Sequence, residues 1–405
     1  MKGSNEMNPI FGDNSSAPHA VSSWPRKFNQ VPKEVFVNAD LFEHELRTIF
    51  YGNLWHPVAH ASELPNVGDF KTFQLGQMPL LITRGADQSI NVVINSCSHR
   101  GTQVEMCDSG NRKEFECPYH RWLFGLSGEL IGCPGSTEFS PGFDKANFGL
   151  KRLRSAEFLG VVFVTMGDCT PPLPQWLGED MMETMRLILG DGRLKLLGYQ
   201  KVRYRVNWKA YNDNDGYHAG LLHTAFRLLN WQAGKGKQFM TENGHMSIVA
   251  QLKPLRNVEF LKDASLVTFK GQNPDNGSSV LELFPIGVIV KHVDTINIRF
   301  AIAHSVDCTE VHYAYFAHAD DDTAMVAHRI RQASNLLGPC GMVSMEDASV
   351  FQRIHIGSFS PGVVEFQKGV KDFYHLPQNV AQNDETGQLP KWEYYRKLMN
   401  FEREA

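Results

Sequence analysis

The pattern of apolar and polar positions changes character twice along the chain. Residues 1–38 carry prolines at 9, 18, 25 and 32 with no sustained periodicity, and read as an extended N-terminal arm. Between 38 and 52, apolar residues recur at 41, 42, 46, 49 and 50. Asn38 or Asp40 can cap this segment and Gly52 can end it, which predicts a helix. From 55 to 166, short apolar runs alternate with Gly, Asn and Pro turns: FKTFQL, PLLITR, INVVIN, KEFEC, WLFGL and GVVFVT. That spacing predicts a small antiparallel β domain. The Pro-rich stretch GDCTPPLPQW at 167–176 marks a boundary. Beyond it, the strand-like KVRYRVNW at 201–208 runs into an apolar, helix-like segment. Alternating strands follow between 246 and 318, then helices near 321–336 and from about 344. The fold class expected is α+β, with an arm at 1–38, a β domain with its leading helix at 39–170, and a larger domain at 171–405. The larger domain is an antiparallel sheet flanked by helices.

Composition narrows the possibilities. With 42% hydrophobic and 21% charged residues and a net charge of −4, the chain has no basic footprint for nucleic acid or an anionic membrane. The longest apolar run, FLGVVFVTMG, is about half of what a bilayer crossing requires. The first twenty residues lack the apolar core of a signal peptide, so a cytoplasmic location is expected. Seven cysteines, an odd number, point to metal binding or simple burial rather than a disulfide framework.

Two of those cysteines fall in a pattern. Cys97-Ser98-His99 is followed, after seventeen intervening residues, by Cys117-Pro118-Tyr119-His120. A zinc finger groups its two cysteines and its two histidines separately, whereas here each loop supplies one of each. That arrangement suits a Rieske 2Fe–2S cluster, with two thiolates on one iron and two imidazoles on the other. A structural zinc site, or buried cysteines with unrelated histidines, is the alternative. Tight-loop glycines, with Tyr119 and Trp122 as shielding rings, agree with the cluster. Cys107, Cys133, Cys169, Cys308 and Cys340 show no paired spacing.

A second constellation lies in DNDGYHAGLLH at 213–223, where Asp215, His218 and His223 follow one another. His218 and His223 are five residues apart, about 140° around an ideal helix, so they converge on one ion only if the helix is locally distorted. The i, i+4 spacing of zinc proteases is absent. Two histidines and one carboxylate form the ligand set of non-haem Fe(II) oxygenases. The carboxylate is either Asp215 or one distant in sequence, and a satisfied core His pair is the bland alternative.

NWKAYNDNDGYHAGLLH at 207–223 resembles the iron-binding segment of the large (α) subunits of Rieske non-haem iron aromatic-ring-hydroxylating oxygenases. HAGLLH is most similar to the branch acting on salicylate, terephthalate and related aromatic acids. The resemblance runs from about residue 38 onward and implies several roles. His218 and His223 would bind the catalytic iron, and Asp347, after the turn in GPCGMVSMEDASVFQ, would be the third ligand, with Glu346 the neighbour most easily mistaken for it. Asp215 would instead bridge, by hydrogen bonds, a cluster histidine of a neighbouring subunit and one histidine of the iron. The segment before Asp215 is about two residues shorter than in the family, leaving open which of Asn212 and Asn214 approaches the iron.

The implied enzyme is a terminal oxygenase using O2 to hydroxylate an aromatic substrate, by ring dihydroxylation or hydroxylation of an aromatic carboxylate. A monooxygenase performing N- or O-demethylation is the alternative. No Gly-x-Gly-x-x-Gly after a strand and no plant-type ferredoxin cysteine run occurs, so NAD(P)H acts only through a partner reductase, with or without a ferredoxin. A homotrimer, or an α3β3 assembly with a small β subunit, is implied. Phe226 and Leu229 are candidate pocket walls. Arg299 is a candidate carboxylate clamp, its alternative being a strand arginine facing solvent or paired with Asp294 or Asp307. A lone Rieske electron carrier would need only about 100 residues and no second iron site.

Overall fold

The computed structural model describes residues 23–213, 216–223, 236–250, 259, 261–271, 277–378 and 380–404. Asn214, Asp215, Phe226 and Leu229 therefore lie outside the described residues.

The expected leading helix forms as α1 (Ala39–Glu45), with the Asn38 side chain accepting from the Leu41 N–H, and continues as a wider turn through Phe50. Ahead of it, the arm is tied down from Ser23 on. Trp24 is fully buried and bridges Arg403, and Gln30–Pro32 pairs with Val363–Glu365.

The β region holds three small antiparallel sheets. β1 (His56–His60) pairs with β10 (Val161–Thr165), which pairs with β9 (Arg154–Phe158). β2 (Asp69–Leu75), β3 (Met78–Arg84), β4 (Ile90–Ile94) and β5 (Ser109–Asn111) form a second sheet in the order β4-β3-β2-β5. β6 (Phe115–Glu116), β7 (Leu123–Phe124) and β8 (Leu130–Gly132) form the third. A separate apolar cluster, including Phe70, Val93, Phe115, Trp122 and Phe124, lies beneath this part.

The larger domain opens with α2 (Glu179–Leu189). Among the described residues its sheet has seven strands: β11 (Leu194–Tyr204), β12 (Lys237–Met240), β13 (Met246–Ala250), β14 (Ser278–Leu283), β15 (Gly287–His292), β16 (Thr295–Ser305) and β17 (Cys308–His318). Their order is β11-β17-β16-β15-β14-β13-β12, antiparallel throughout. Strand side chains alternate between faces. One face carries Leu281, Leu283, Ile289, Ile298 and Phe300, which join the main core with Met181, Met185 and Ile188 of α2 and Phe73 of β2. At this junction the buried Lys71 pairs with Glu63 at 2.7 Å and lies over the Phe300 ring.

The opposite face positions the site. Register aligns Glu282, Val288, Arg299 and Tyr313 in one row across β14 to β17, with Val280, Val290 and Asn297 in the next. Over this face lie α3 (Trp208–Tyr211), α4 (Gly216–Leu222), α5 (Thr323–Gln332) and α6 (Ser344–Gly357). The C-terminal α7 (Leu389–Leu398) joins α1 and α3 through a buried polar hub. Glu45 accepts from Trp208 Nε1 at 2.7 Å, Lys209 Nζ at 2.6 Å and the Tyr395 hydroxyl. Removing one partner of such a fully buried ion pair costs about 3–5 kcal/mol, because the remaining charge is left uncompensated. No helix among the described residues is long and apolar enough to cross a membrane.

Candidate metal centres

The loop after β4 presents Cys97 and His99, and the loop after β6 presents Cys117 and His120. The two loops close in the same way. The Cys97 N–H donates to Thr102 O and the Gly101 N–H to Cys97 O; the Cys117 N–H donates to Trp122 O and the Arg121 N–H to Cys117 O. The fourth residue after each cysteine is left-handed, Gly101 at φ 75° and Arg121 at φ 61°. Glycine adopts this conformation freely, whereas an L residue such as Arg121 gives up roughly 1 kcal/mol to match the loop.

Both thiols are buried and neither is in a disulfide, while His99 is exposed and His120 half-buried. The two imidazole centroids lie 4.6 Å apart, and Trp122 stacks on His99 at 4.6 Å and 7°. Burial pushes the Cys97 thiol up; the His99 backbone N–H opposes this and the adjacent Cys117 adds to it. Inward thiols and outward imidazoles fit the donor set of a two-iron cluster divided by ligand type, with its histidine edge toward solvent.

The second centre answers the spacing problem. α4 ends at Leu222 and His223 follows directly, with its ring centroid 5.2 Å from that of His218. Asp347, in the first turn of α6, meets both: its Oδ1 lies 3.7 Å from His218 Nε2 and 3.4 Å from His223 Nε2. One ligand atom from each of the three residues lies within 4.8 Å of the others. Asp347 Oδ1 is buried yet has no hydrogen-bond partner, an orphaned acceptor of the kind an ion would satisfy. Burial pushes the Asp347 carboxyl up to about 6; His218 and Arg299 oppose this and Glu346 adds to it. Burial likewise pushes His223 down to about 3, helped by the charges of His218, His292 and Arg299. A neutral imidazole is the form that binds a metal. The group fits a facial site for non-haem iron.

Glu346 is not in this group. Its Oε2 lies 3.3 Å from His223 Nδ1, so it holds the ring nitrogen that faces away from Asp347. This orienting role of Glu346 was not read from the sequence, although two adjacent acids in a helix's first turn are a visible signal. The side chain of Asn212 donates to Pro285 O at 2.8 Å and faces a small cavity beside α7.

Arg299 is 8% exposed, so it neither faces solvent nor pairs with the two aspartates considered as partners. Asp294 instead meets His328 at 3.0 Å, and Asp307 accepts from Ser305 at 2.6 Å. The Arg299 Nε donates to Asn297 Oδ1 at 3.1 Å, and its guanidinium lies 4.9 Å from the Tyr313 ring centroid. Burial works against its charge, but Tyr313, Tyr211, Asp347 and Tyr204 outweigh it and hold the guanidinium above its ordinary pKa. His292, with Nδ1 2.8 Å from Ser278 Oγ, is a further polar residue on this face; its period-two spacing with Val288 and Val290 was the available signal.

Residues 54–151 match the family model for a Rieske [2Fe-2S] domain, and residues 192–383 match that for the catalytic domain of a ring hydroxylating alpha subunit. The chain is 31% identical to the large subunit of anthranilate 1,2-dioxygenase from Burkholderia cepacia, over 92% of this chain and 94% of that one. It is 29% identical to subunit alpha 2 of the terephthalate 1,2-dioxygenase terminal oxygenase component from Comamonas, over 95% and 99%. It is also 29% identical to the large oxygenase component of salicylate 5-hydroxylase from Ralstonia, over 85% and 87%. In fold, it resembles naphthalene 1,2-dioxygenase solved with indole bound, at a TM-score of 0.77 and 22% identity over 95% of each chain.

Proposed function

Because the chain belongs to the large (alpha) subunits of the ring-hydroxylating oxygenases, we propose that it acts on an aromatic carboxylate and dihydroxylates the ring. The enzyme is a Rieske non-haem iron dioxygenase whose electrons come from a partner reductase. The demethylase alternative is not favoured, since the relatives spanning nearly the whole chain are ring dioxygenases and a ring hydroxylase.

Cys97 and Cys117 would hold one cluster iron and His99 and His120 the other, while His218, His223 and Asp347 would hold the mononuclear iron. When bound, these groups supply one-electron storage and O2 activation. Ring dihydroxylation takes up both atoms of O2, two electrons and two protons. The chain's own residues orient and exclude. Glu346 fixes the His223 ring through Nδ1. Val280, Val288 and Val290 form an apolar floor beneath α4 that seats a ring and excludes water. Arg299, in the same row as Val288, binds the carboxylate as a two-pronged donor. This buried cation beside the metal group is the observation that carries the assignment of substrate class. Phe226, read as an apolar wall, and Asp215, which the family resemblance makes the bridge to a cluster histidine of a neighbouring subunit, lie outside the described residues.

That bridge requires a ring of subunits, a homotrimer or α3β3 with a small β subunit, served by a reductase directly or through a ferredoxin. The division between cluster domain and catalytic domain falls near residue 170, with an arm before residue 39, and the enzyme works in the cytoplasm. Purified protein tests the reading directly. It is expected to contain about three irons per chain and to show the absorption and EPR of a Rieske cluster. With a surrogate reductase it is expected to convert one of benzoate, anthranilate, salicylate or terephthalate to a dihydroxylated product. A colourless, sulfide-free protein, or turnover of N-methyl aromatics alone, sinks it.

A further inference from the structure

The C-terminal segment grips the chain on both sides of residues 214–215. On the near side, Lys391 Nζ donates to Asn212 O and lies 3.5 Å from Asp213 Oδ1. Trp392 Nε1 donates to the same Asp213 oxygen at 3.0 Å. On the far side, Gly216 packs against the backbone of Gln382, where an added Cβ would come within 1.6 Å of the carbonyl oxygen. Next to Gly216, the Tyr217 ring lies 4.9 Å from Lys368 Nζ. The clamp is itself anchored. Lys391 is 3.9 Å from the buried Glu282 of β14, Gln388 Nε2 is 3.3 Å from the same carboxylate, and Tyr395 donates to the Glu45 hub.

Lys391 is 6% exposed. Burying an ammonium group is expensive, and a neutral residue could fill the same space. A cation there has a geometric use: it fixes one backbone carbonyl and one carboxylate just ahead of the helix bearing His218. Resting on the oxygenase reading above, we propose that Lys391, seconded by Trp392, is a positioning residue that holds Asn212 and Asp213, just ahead of the helix bearing His218, in register for electron delivery from a neighbouring subunit's cluster to the mononuclear iron. Lys391 touches no reacting atom and acts through Asn212 and Asp213.

The test is a single-turnover experiment on the iron-loaded, assembled enzyme. The reduced protein is mixed with O2 and with whichever of benzoate, anthranilate or terephthalate the wild type oxidises fastest, and reoxidation of the cluster is followed by its absorbance. Lys391→Met is expected to slow that step at least tenfold, with iron content, cluster EPR and cluster potential unchanged, and Lys391→Arg is expected to restore most of the rate. A purely structural role would lower Tm but leave the rate per loaded site unmoved, and that result overturns the proposal. Should Lys391→Met fail to fold, Trp392→Phe decides. It removes the bond to Asp213 while keeping a smaller aromatic ring against Phe36 and Tyr395, and is expected to slow the same step about threefold; a wild-type rate overturns the proposal. If wild-type protein itself shows no substrate-dependent reoxidation, the oxygenase reading fails instead, so the two failures are distinguishable.

Discussion

Replacing Asp347 by Asn separates what this residue costs the fold from what it does for the metal. The carboxyl is pushed up to about 6 by burial, from an ordinary value of 3.8. A group ionised in both states but harder to ionise when folded destabilises the fold, by about 1.4 kcal/mol per pKa unit. For Asp347 the shift amounts to about 3 kcal/mol. The sign follows from the direction: the penalty is full above the folded-state value near 6 and vanishes as pH falls below 3.8, where both states are protonated. The isosteric Asp347→Asn removes the charge without opening a cavity. In protein stripped of mononuclear iron but retaining its cluster, the variant is expected to resist urea better than wild type at pH 7.5, by about 3 kcal/mol. The gap should narrow progressively toward pH 4. In the iron-loaded state the order reverses, because binding to the folded form stabilises wild type by mass action and the variant lacks a charged ligand. Urea titrations at two pH values, with and without ferrous iron, measure all four quantities. A variant no more stable than wild type without iron at pH 7.5 refutes the buried-charge argument. A variant that retains iron as tightly as wild type refutes the ligand assignment.

Asp215→Asn is expected to keep both metal sites by iron assay and EPR yet to lose most turnover, and normal turnover would remove the bridging role. Arg299→Met should raise KM for an aromatic carboxylate by about 10–100-fold, the worth of a charge-assisted pair. A neutral aromatic should be affected far less, and equal losses for both would show the arginine to be structural. Glu346→Ala should weaken ferrous-iron affinity by about tenfold or more while leaving the cluster spectrum unchanged.

The donors of both centres were legible because thiolates and imidazoles at short loop spacing have few other uses. The strands were legible through alternation, as in INIRFAIAH, which became β16. The proposed third ligand was different. Nothing in the local chemistry of MEDASV separates Asp347 from Glu346; the family resemblance pointed to Asp347, and the fold turns that carboxylate toward the two Nε2 atoms and the other toward Nδ1. The burial of Arg299 was equally hidden, since an alternating strand does not reveal which of its faces will be covered by helices. Lys391 and Trp392 were invisible for a related reason: their partners stand far away in sequence, and contacts of that kind leave no local pattern. The described part of the arm also proved better held than its prolines suggested, because Trp24 finds a stacked neighbour in Phe401 near the other end of the chain.

The stop of α4 at Leu222 has a consequence for anyone who would borrow this site. His218 rides on the helix and His223 on the chain just beyond it, so the motif works only where a helix ends between its two histidines. Copied onto a long designed helix, the same eleven letters would point the imidazoles in different directions and hold no ion. What must be transplanted is the terminus together with the residues, and an engineer who extended α4 by a single well-formed turn would be expected to erase the centre without changing any of its ligands.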